Sequence, residues 1–228
     1  TFDPRSEDLA AALAHLRSAQ VEGVIVEAPV QPVIEALRDV RPGVPTVVVG
    51  GDPALPLTTV AVDQAAGGRL ATEHLLGLGH RTVHHVRGDA GWVDAQLRHE
   101  GWADALAGAG APAGQLLEGD WSAAGGYETG RRLAADPDVT AVFAANDQTA
   151  LGVLRALHEA DRPEVSVVGF DDTPDSAFFV PPLTTVRQDL FEVGRRAVQL
   201  LLDQIEEPTE PEHVVLPPEL IVRESARP

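Results

Sequence analysis

Short β-branched runs recur along the chain, separated by longer stretches whose apolar positions follow a helical period. Strands are expected at 24–26, 46–49, 60–62, 82–86, 139–144, 165–170, 184–187 and 214–216. Several of these are apolar at every position, as strands of a parallel sheet covered on both faces must be. Helices are expected at 6–20, 32–39, 65–78, 94–109, 123–135, 148–159 and 190–205. The last has the clearest face, formed by Leu190, Val193, Ala197, Leu200, Leu201 and Ile205. Pro and Gly punctuate the boundaries, as at Pro42-Gly43 and Gly50-Gly51. Regular alternation of strand and helix predicts an α/β architecture built on parallel sheets.

The polar residues sit where such sheets bind ligands. Asp52, Asp63, Asp89, Asp120, Asn146-Asp147, Asp171-Asp172 and Gln188-Asp189 all follow expected strands or their loops. Open α/β sheets place ligands outside the carboxyl ends of their strands. The same residue types also cap helices, because a side-chain oxygen there satisfies an orphan N–H. Asp63 and Asp189 stand directly before helices and read as caps. Asp171-Asp172 is harder to read that way, since a cap needs one carboxylate and two adjacent ones repel.

Composition then removes whole classes of chemistry. The 228 residues carry 35 acidic side chains against 17 basic ones, a net charge of −18. All the basic residues are Arg, so a P-loop lysine, a Schiff base and a pyridoxal phosphate site are excluded. There is no Cys, hence no disulfide, thiol nucleophile or Cys-ligated metal. Direct phosphate-backbone binding needs a basic stripe, which scattered arginines in an acidic chain do not supply. No apolar run approaches the roughly 20 residues of a membrane span.

No Gly-x-Ser-x-Gly elbow is present. The 108–114 stretch, rich in Gly and Ala, reads as a helix C-terminal loop. His84 and His85 are neighbours in a strand and point to opposite faces, so they cannot share a metal. His74 and His80 flank a helix end and are expected to cap carbonyls. The expectation is therefore no metal, no cofactor and no catalysis. A glycosidase using Asp171 is the weakest alternative, because no second carboxylate stands at a defined spacing from it.

What remains suits binding. Arg98, Asn146 and Asp171 offer a forked donor, a mixed donor and acceptor, and an acceptor, which together match adjacent sugar hydroxyls. Trp92 and Trp121 are candidates for stacking on a sugar ring at a pocket mouth, and Trp102 is expected in the core.

Five stretches point to one family: 118–122 (Glu-Gly-Asp-Trp-Ser), 145–152, 166–173 (Ser-Val-Val-Gly-Phe-Asp-Asp-Thr), 181–189 (Pro-Pro-Leu-Thr-Thr-Val-Arg-Gln-Asp) and 69–80. In order and over nearly the whole chain, they resemble the lactose-repressor family of bacterial transcription regulators. The resemblance implies a periplasmic-binding-protein-like fold: two lobes, each a parallel sheet flanked by helices, joined by three crossover strands. The crossovers are expected near 86–88, 186–188 and 213–216. That gives an N-terminal lobe of 1–86 plus 188–212 and a C-terminal lobe of 87–187 plus 213–228. It also implies effector contacts at Arg98, Asn146, Asp171, Trp121 and Gln188, with Trp92 added as a rim residue.

Further expectations follow from the resemblance. The function is effector binding and dimerisation in a cytoplasmic repressor that senses a sugar. DNA contact would run only through a helix-turn-helix headpiece, which, with a first strand–helix–strand unit, is not among these residues. The expected partners are a sugar effector, a second copy of the chain and operator DNA through that headpiece, with no membrane. A transporter-associated sugar-binding protein shares the fold and is the alternative.

Overall fold

The computed structural model describes residues 6–39, 42–50, 54–207 and 209–228. Asp52 and Gly51 lie outside the described residues. The chain clusters into two compact units. The first comprises Thr1–Val62, Gly91–Val93 and Asp189–Leu216, and the second Asp63–Ala90, Asp94–Gln188 and Pro217–Pro228.

In the first unit, β1 (Val24–Ala28), β2 (Thr46–Gly50), β3 (Thr58–Val62) and β9 (His213–Leu216) form a parallel sheet in the order β1-β2-β3-β9. Helix α1 (Ser6–Ser18) precedes β1 and packs beside α2 (Gln31–Asp39). Ile34 and Leu37 of α2 are fully buried with Ala28, Val48 and Leu55. Val193 and Ala197 of α7 (Leu190–Glu206) pack with Val47, Val60 and Val62. Alternate residues of the same strands thus serve two cores, which is why these strands read as unbroken apolar runs. Leu190, expected on the packed face of α7, is instead 62% exposed. It occupies the first helical position, one turn before the first packed residue, Val193.

The second unit holds a six-stranded sheet in the order β10-β8-β7-β6-β4-β5. Its strands are β4 (His84–Arg87), β5 (Leu116–Glu118), β6 (Ala141–Ala144), β7 (Ser166–Asp171), β8 (Thr184–Arg187) and β10 (Glu219–Ile221). All pairings are parallel except β10 with β8. On one face α5 (Ala123–Ala134) and α6 (Asp147–Glu159) cover Val86, Val142, Ala144 and Val167. On the other, α3 (Gln64–Gly77) and α4 (Val93–Gly108) cover Val83, Ala141, Phe143, Val168 and Phe170. Trp102 belongs to that second core, with its indole N–H donated to the Val83 carbonyl at 2.9 Å.

The units divide differently from the expected boundaries. The first unit ends at Val62, not near residue 86. The physical reason is pairing: β4 lies between β5 and β6, so a boundary at its end would cut the larger sheet. α3 likewise packs on β6, β7, β8 and β10. At the other end of the chain, β9 pairs with β3 in the first unit, whereas 213–216 was expected in the C-terminal lobe. The passages at Gln188/Asp189 and Leu216/Pro217 fall at the ends of expected crossovers.

Candidate functional site

In the larger sheet the chain leaves β4 for β5 on one side, and later builds β6, β7 and β8 on the other. That reversal is a topological switch point, the position where open α/β sheets leave a crevice beyond their strand ends. Trp121 follows β5, Asn146 follows β6, Asp171 ends β7 and Gln188 follows β8. Arg98 reaches this edge from α4.

Close helix packing brings the last partner in. A Cβ on Gly68 would stand 2.2 Å from the Arg98 carbonyl oxygen, and one on Gly101 would stand 2.0 Å from that of Ala65. The α3 and α4 backbones can touch only because both positions lack a side chain. Asp63 caps α3 by accepting the Ala66 N–H at 2.8 Å, as expected of it. The first residue of α3, Gln64, is thereby set against Arg98.

Arg98 is 3% exposed and carries the only guanidinium in this group of residues. Its Nε donates to Gln64 Oε1 at 2.8 Å and its Nη1 to the Ala145 carbonyl at 2.5 Å. The guanidinium carbon lies 3.8 Å from the Phe170 ring centroid and 5.5 Å from that of Trp121, both within cation–π range. Asp171 Oδ1 stands 3.5 Å from Nη1, and Asp94 Oδ2 3.8 Å from Nη2. Burial lowers the Arg98 pKa, and the neighbouring carboxylates of Asp171, Asp94 and Asp147 oppose that shift.

Asp171 has φ 111° and Asp172 φ 54°, a left-handed pair that non-glycine residues adopt at a cost of about 1–3 kcal/mol each. The turn sends the two side chains apart. Asp171 faces Arg98 and accepts from Gln188 Nε2 at 2.8 Å. Burial pushes its carboxyl up to about 6, against the pull of Arg98 and Gln188. Asp172 faces Arg187 and Arg223 instead.

Asn146 has φ −150° and caps α6, accepting the Thr149 N–H at 2.9 Å, while its Nδ2 donates to the Trp121 carbonyl at 3.1 Å. The capping reading holds, and its amide also reaches Trp121, with one N–H left over. Trp121 has φ 68°, and its ring lies so close over Gly88 that a Cβ there would be 2.2 Å from it.

The structure thus gathers Arg98, Trp121, Asn146, Asp171 and Gln188 at one sheet edge of the second unit. Trp92 is assigned to the first unit, where it bridges Val30 and is 38% exposed. Gln64 escaped the sequence reading, and Asp147 entered it only as one of the polar residues that follow strands. Gln64 is buried and links Arg98 to Gln188, donating to Gln188 Oε1 at 2.7 Å. Asp147 is fully buried and accepts from Thr173 N at 2.8 Å, Thr185 Oγ1 at 2.6 Å and the Ser176 hydroxyl. It holds the loop after β7 under Asp171, and burial raises its pKa. A carboxylate immediately after a capping Asn is the only sequence signal for it.

The histidines do other work. His84 Nδ1 accepts from Gln115 N, and His85 donates to the Phe143 carbonyl while stacking on the Phe143 ring. Burial pushes His85 down to about 3. His80 bonds Thr140 and the Arg227 carbonyl, whereas the buried His74 Nε2 meets no hydrogen-bond partner, contrary to its expected capping role. Among the described residues no three potential ligands cluster to hold a metal, and no helix is long and apolar enough to cross a membrane.

Two α/β units with parallel-dominated sheets suit a periplasmic-binding-protein-like architecture, and the family model described as a periplasmic binding protein-like domain matches residues 72–226. The chain belongs to the lactose-repressor family of transcription regulators. It is 38% identical over 225 residues to the lactose operon repressor of Klebsiella pneumoniae, covering 96% of this chain and 64% of that protein. It matches a Lac repressor dimer bound to operator and an anti-inducer with TM-score 0.87 and 32% identity, over 98% of this chain and 80% of that one. A LacI-family regulator from Enterococcus faecium with bound ribose gives 0.83 and 32%, over 95% and 84%. The chain spans about three fifths of the length of the curated relatives it matches.

Proposed function

We propose that this chain is the effector-binding region of a sugar-responsive repressor. The observation that carries this is the Arg98–Asp171 pair: a buried guanidinium fork 3.5 Å from a partly exposed carboxylate at the switch point. A sugar diol donates to the carboxylate and accepts from the guanidinium, replacing a loose ion pair by charge-assisted hydrogen bonds. Trp121 supplies a flat apolar face, and Asn146 and Gln188 supply amides of fixed direction. Trp92 is proposed as a rim contact. A relative with bound ribose favours the sugar class.

The chain does no chemistry in this reading. An effector that prefers one conformation of the whole protein shifts its operator affinity, and one that binds both equally shifts nothing. In this reading these residues are not themselves the DNA contact, in keeping with a net charge of −18. The working partner is a second copy of the chain. Val180 is 90% exposed and Leu151 37%, and both line an apolar depression with Leu154, Arg155 and His158.

The test is a thermal-shift screen of the protein against mono- and disaccharides, followed by operator binding of the full-length repressor. A ligand at 100 times its Kd adds about 2.7 kcal/mol of stability. The reading requires a stabilising sugar that loses its effect in Arg98→Ala and that changes operator affinity. A stabilising sugar that leaves operator affinity untouched would favour a transporter-associated binding protein and sink the repressor reading.

A further inference from the structure

Four side chains at the site close a ring of polar contacts. Arg98 Nε donates to Gln64 Oε1 at 2.8 Å, and Gln64 Nε2 donates to Gln188 Oε1 at 2.7 Å. Gln188 Nε2 donates to Asp171 Oδ1 at 2.8 Å, and that same oxygen lies 3.5 Å from Arg98 Nη1. The three hydrogen bonds run in one sense, from Arg98 as donor to Asp171 as final acceptor, and the Arg98–Asp171 ion pair closes the ring. A guanidinium only donates and an ionised carboxylate only accepts, so each glutamine amide between them has one orientation that satisfies both neighbours. Turning either amide over would set N–H against N–H at one end and oxygen against oxygen at the other.

Gln64 is the member with no other duty. It is 6% exposed, held at the start of α3 by the Asp63 cap and by the close approach of α3 to α4. A buried amide in that place is costly unless both its ends are used. Its two bonds are to a charged donor and to the amide that reaches Asp171.

We propose that Gln64 is a positioning residue for ligand binding: its amide fixes the direction of the Arg98 guanidinium and passes that direction through Gln188 to the Asp171 carboxylate. The proposal rests on Arg98 and Asp171 being ligand contacts. It has a consequence in the chain as well. Gln64 is the second residue after the passage from Val62 to Asp63, and Gln188 the last before the passage to Asp189. The side chains that meet the ligand are therefore bonded to residues at two passages between the compact units.

The experiment uses the full-length protein and the variants Gln64→Met, which keeps the volume without the amide, and Gln64→Glu, which keeps the shape but cannot donate to Gln188. The first readout needs no ligand. NMR follows the Arg98 Nε–H resonance, assigned by its loss in Arg98→Lys, and the titration of the Asp171 carboxyl carbon. The wild type should show a slowly exchanging Nε–H that Gln64→Met loses. The Asp171 midpoint should rise in that variant, because an undirected Gln188 no longer keeps its donor on the carboxylate. Arg98 and Asp94 on α4 and Asp147 on α6 also face Asp171, and their charges are the same in both proteins. An unchanged Nε–H signal and an unchanged midpoint overturn the proposal, whether or not any sugar binds.

The second readout is affinity for ribose, cellobiose and lactose. Gln64→Met should weaken whichever of these binds by about tenfold, the value of one hydrogen bond to a charged group. Loss of binding in Asp171→Asn and Arg98→Lys with none in Gln64→Met sinks the positioning role and leaves the site reading intact. Unchanged binding in all three sinks the site reading. Melting midpoints identify any variant that fails to fold, in which case the remaining Gln64 substitution decides.

Discussion

At the end of β7 the Asp172 side chain is 7% exposed and takes a guanidinium on each oxygen, Arg187 at 2.7 Å and Arg223 at 2.6 Å. One residue earlier, the Asp171 side chain is 28% exposed and has a single guanidinium, at 3.5 Å. Burial pushes both carboxyls up. At Asp172 the hydrogen bonds from Arg223 and Arg187 outweigh that and hold it below its ordinary value, whereas at Asp171 burial wins. A carboxylate whose acceptor sites are filled by the protein ties strands together, here β8 and the segment after β10. One left with open acceptor capacity, and kept partly desolvated, has something to offer a ligand. The two regions share a backbone turn and differ in exposure and in how completely the protein satisfies them.

The largest expected effect tests the Asp171 side. Arg98→Ala removes the guanidinium that faces Asp171 and strands the buried Gln64 amide. It should cost about 3–5 kcal/mol in urea unfolding, the usual penalty for breaking a buried pair from one side, and should abolish sugar binding. On the other side, Asp172→Asn should cost about 2–3 kcal/mol, below that range because Arg187 is 45% exposed and screened by water. It should leave sugar affinity within about twofold, since its bonds go to Arg187 and Arg223 and not to Arg98. A large affinity loss in this variant would erase the contrast between the two carboxylates.

Asp171→Asn should reverse that pattern, weakening sugar binding by about 10–100-fold while moving the unfolding midpoint less than Asp172→Asn does. The pH dependence separates the pair again. The Asp171 midpoint lies near 6 when folded against an ordinary 3.8, so this group withdraws stability as pH rises from about 4 to 6. Asp172 has a lowered midpoint, so its contribution is present above 3.8 and is lost as pH falls through the folded value. Unfolding curves between pH 3 and 7 should therefore flatten in the upper part for Asp171→Asn and in the lower part for Asp172→Asn. Sugar affinity should fall below about pH 6 in the wild type and in Asp172→Asn, and should lose that dependence in Asp171→Asn. The smallest effect is expected for Trp92→Ala. Loss of a rim stacking contact is worth about 0.5–1.5 kcal/mol, and an unchanged affinity would remove Trp92 from the site.

Much of this was legible before any coordinates. The seven expected helices begin and end within about two residues of their expected positions; Asp63, Ser122, Asn146 and Asp189 cap four of them, and apolar period marks their faces. The two strands that escaped notice, β5 and β10, are the edges of the larger sheet and only three residues each. An edge strand is half exposed, so Glu118 and Glu219 interrupt the apolar run that identifies an inner strand. Gln64 escaped for a different reason. Its importance lies in who its neighbours are, and both Arg98 and Gln188 are remote in sequence.

The residues themselves determined the element order, the placement of polar side chains beyond strand ends and the absence of thiol and lysine chemistry. These are local properties: period, cap chemistry and composition act over a few residues and need no partner. Pairing across the chain decided the rest. β4 lies in the second unit and β9 in the first because hydrogen-bonded neighbours, not sequence proximity, define a sheet. Asp171 and Asp172 took different roles because one turn of backbone with positive φ sent them toward different arginines. Apart from the family resemblance, which singled out Asp171, two identical side chains one residue apart carry no label for that choice; the folded environment supplies the charges that make it.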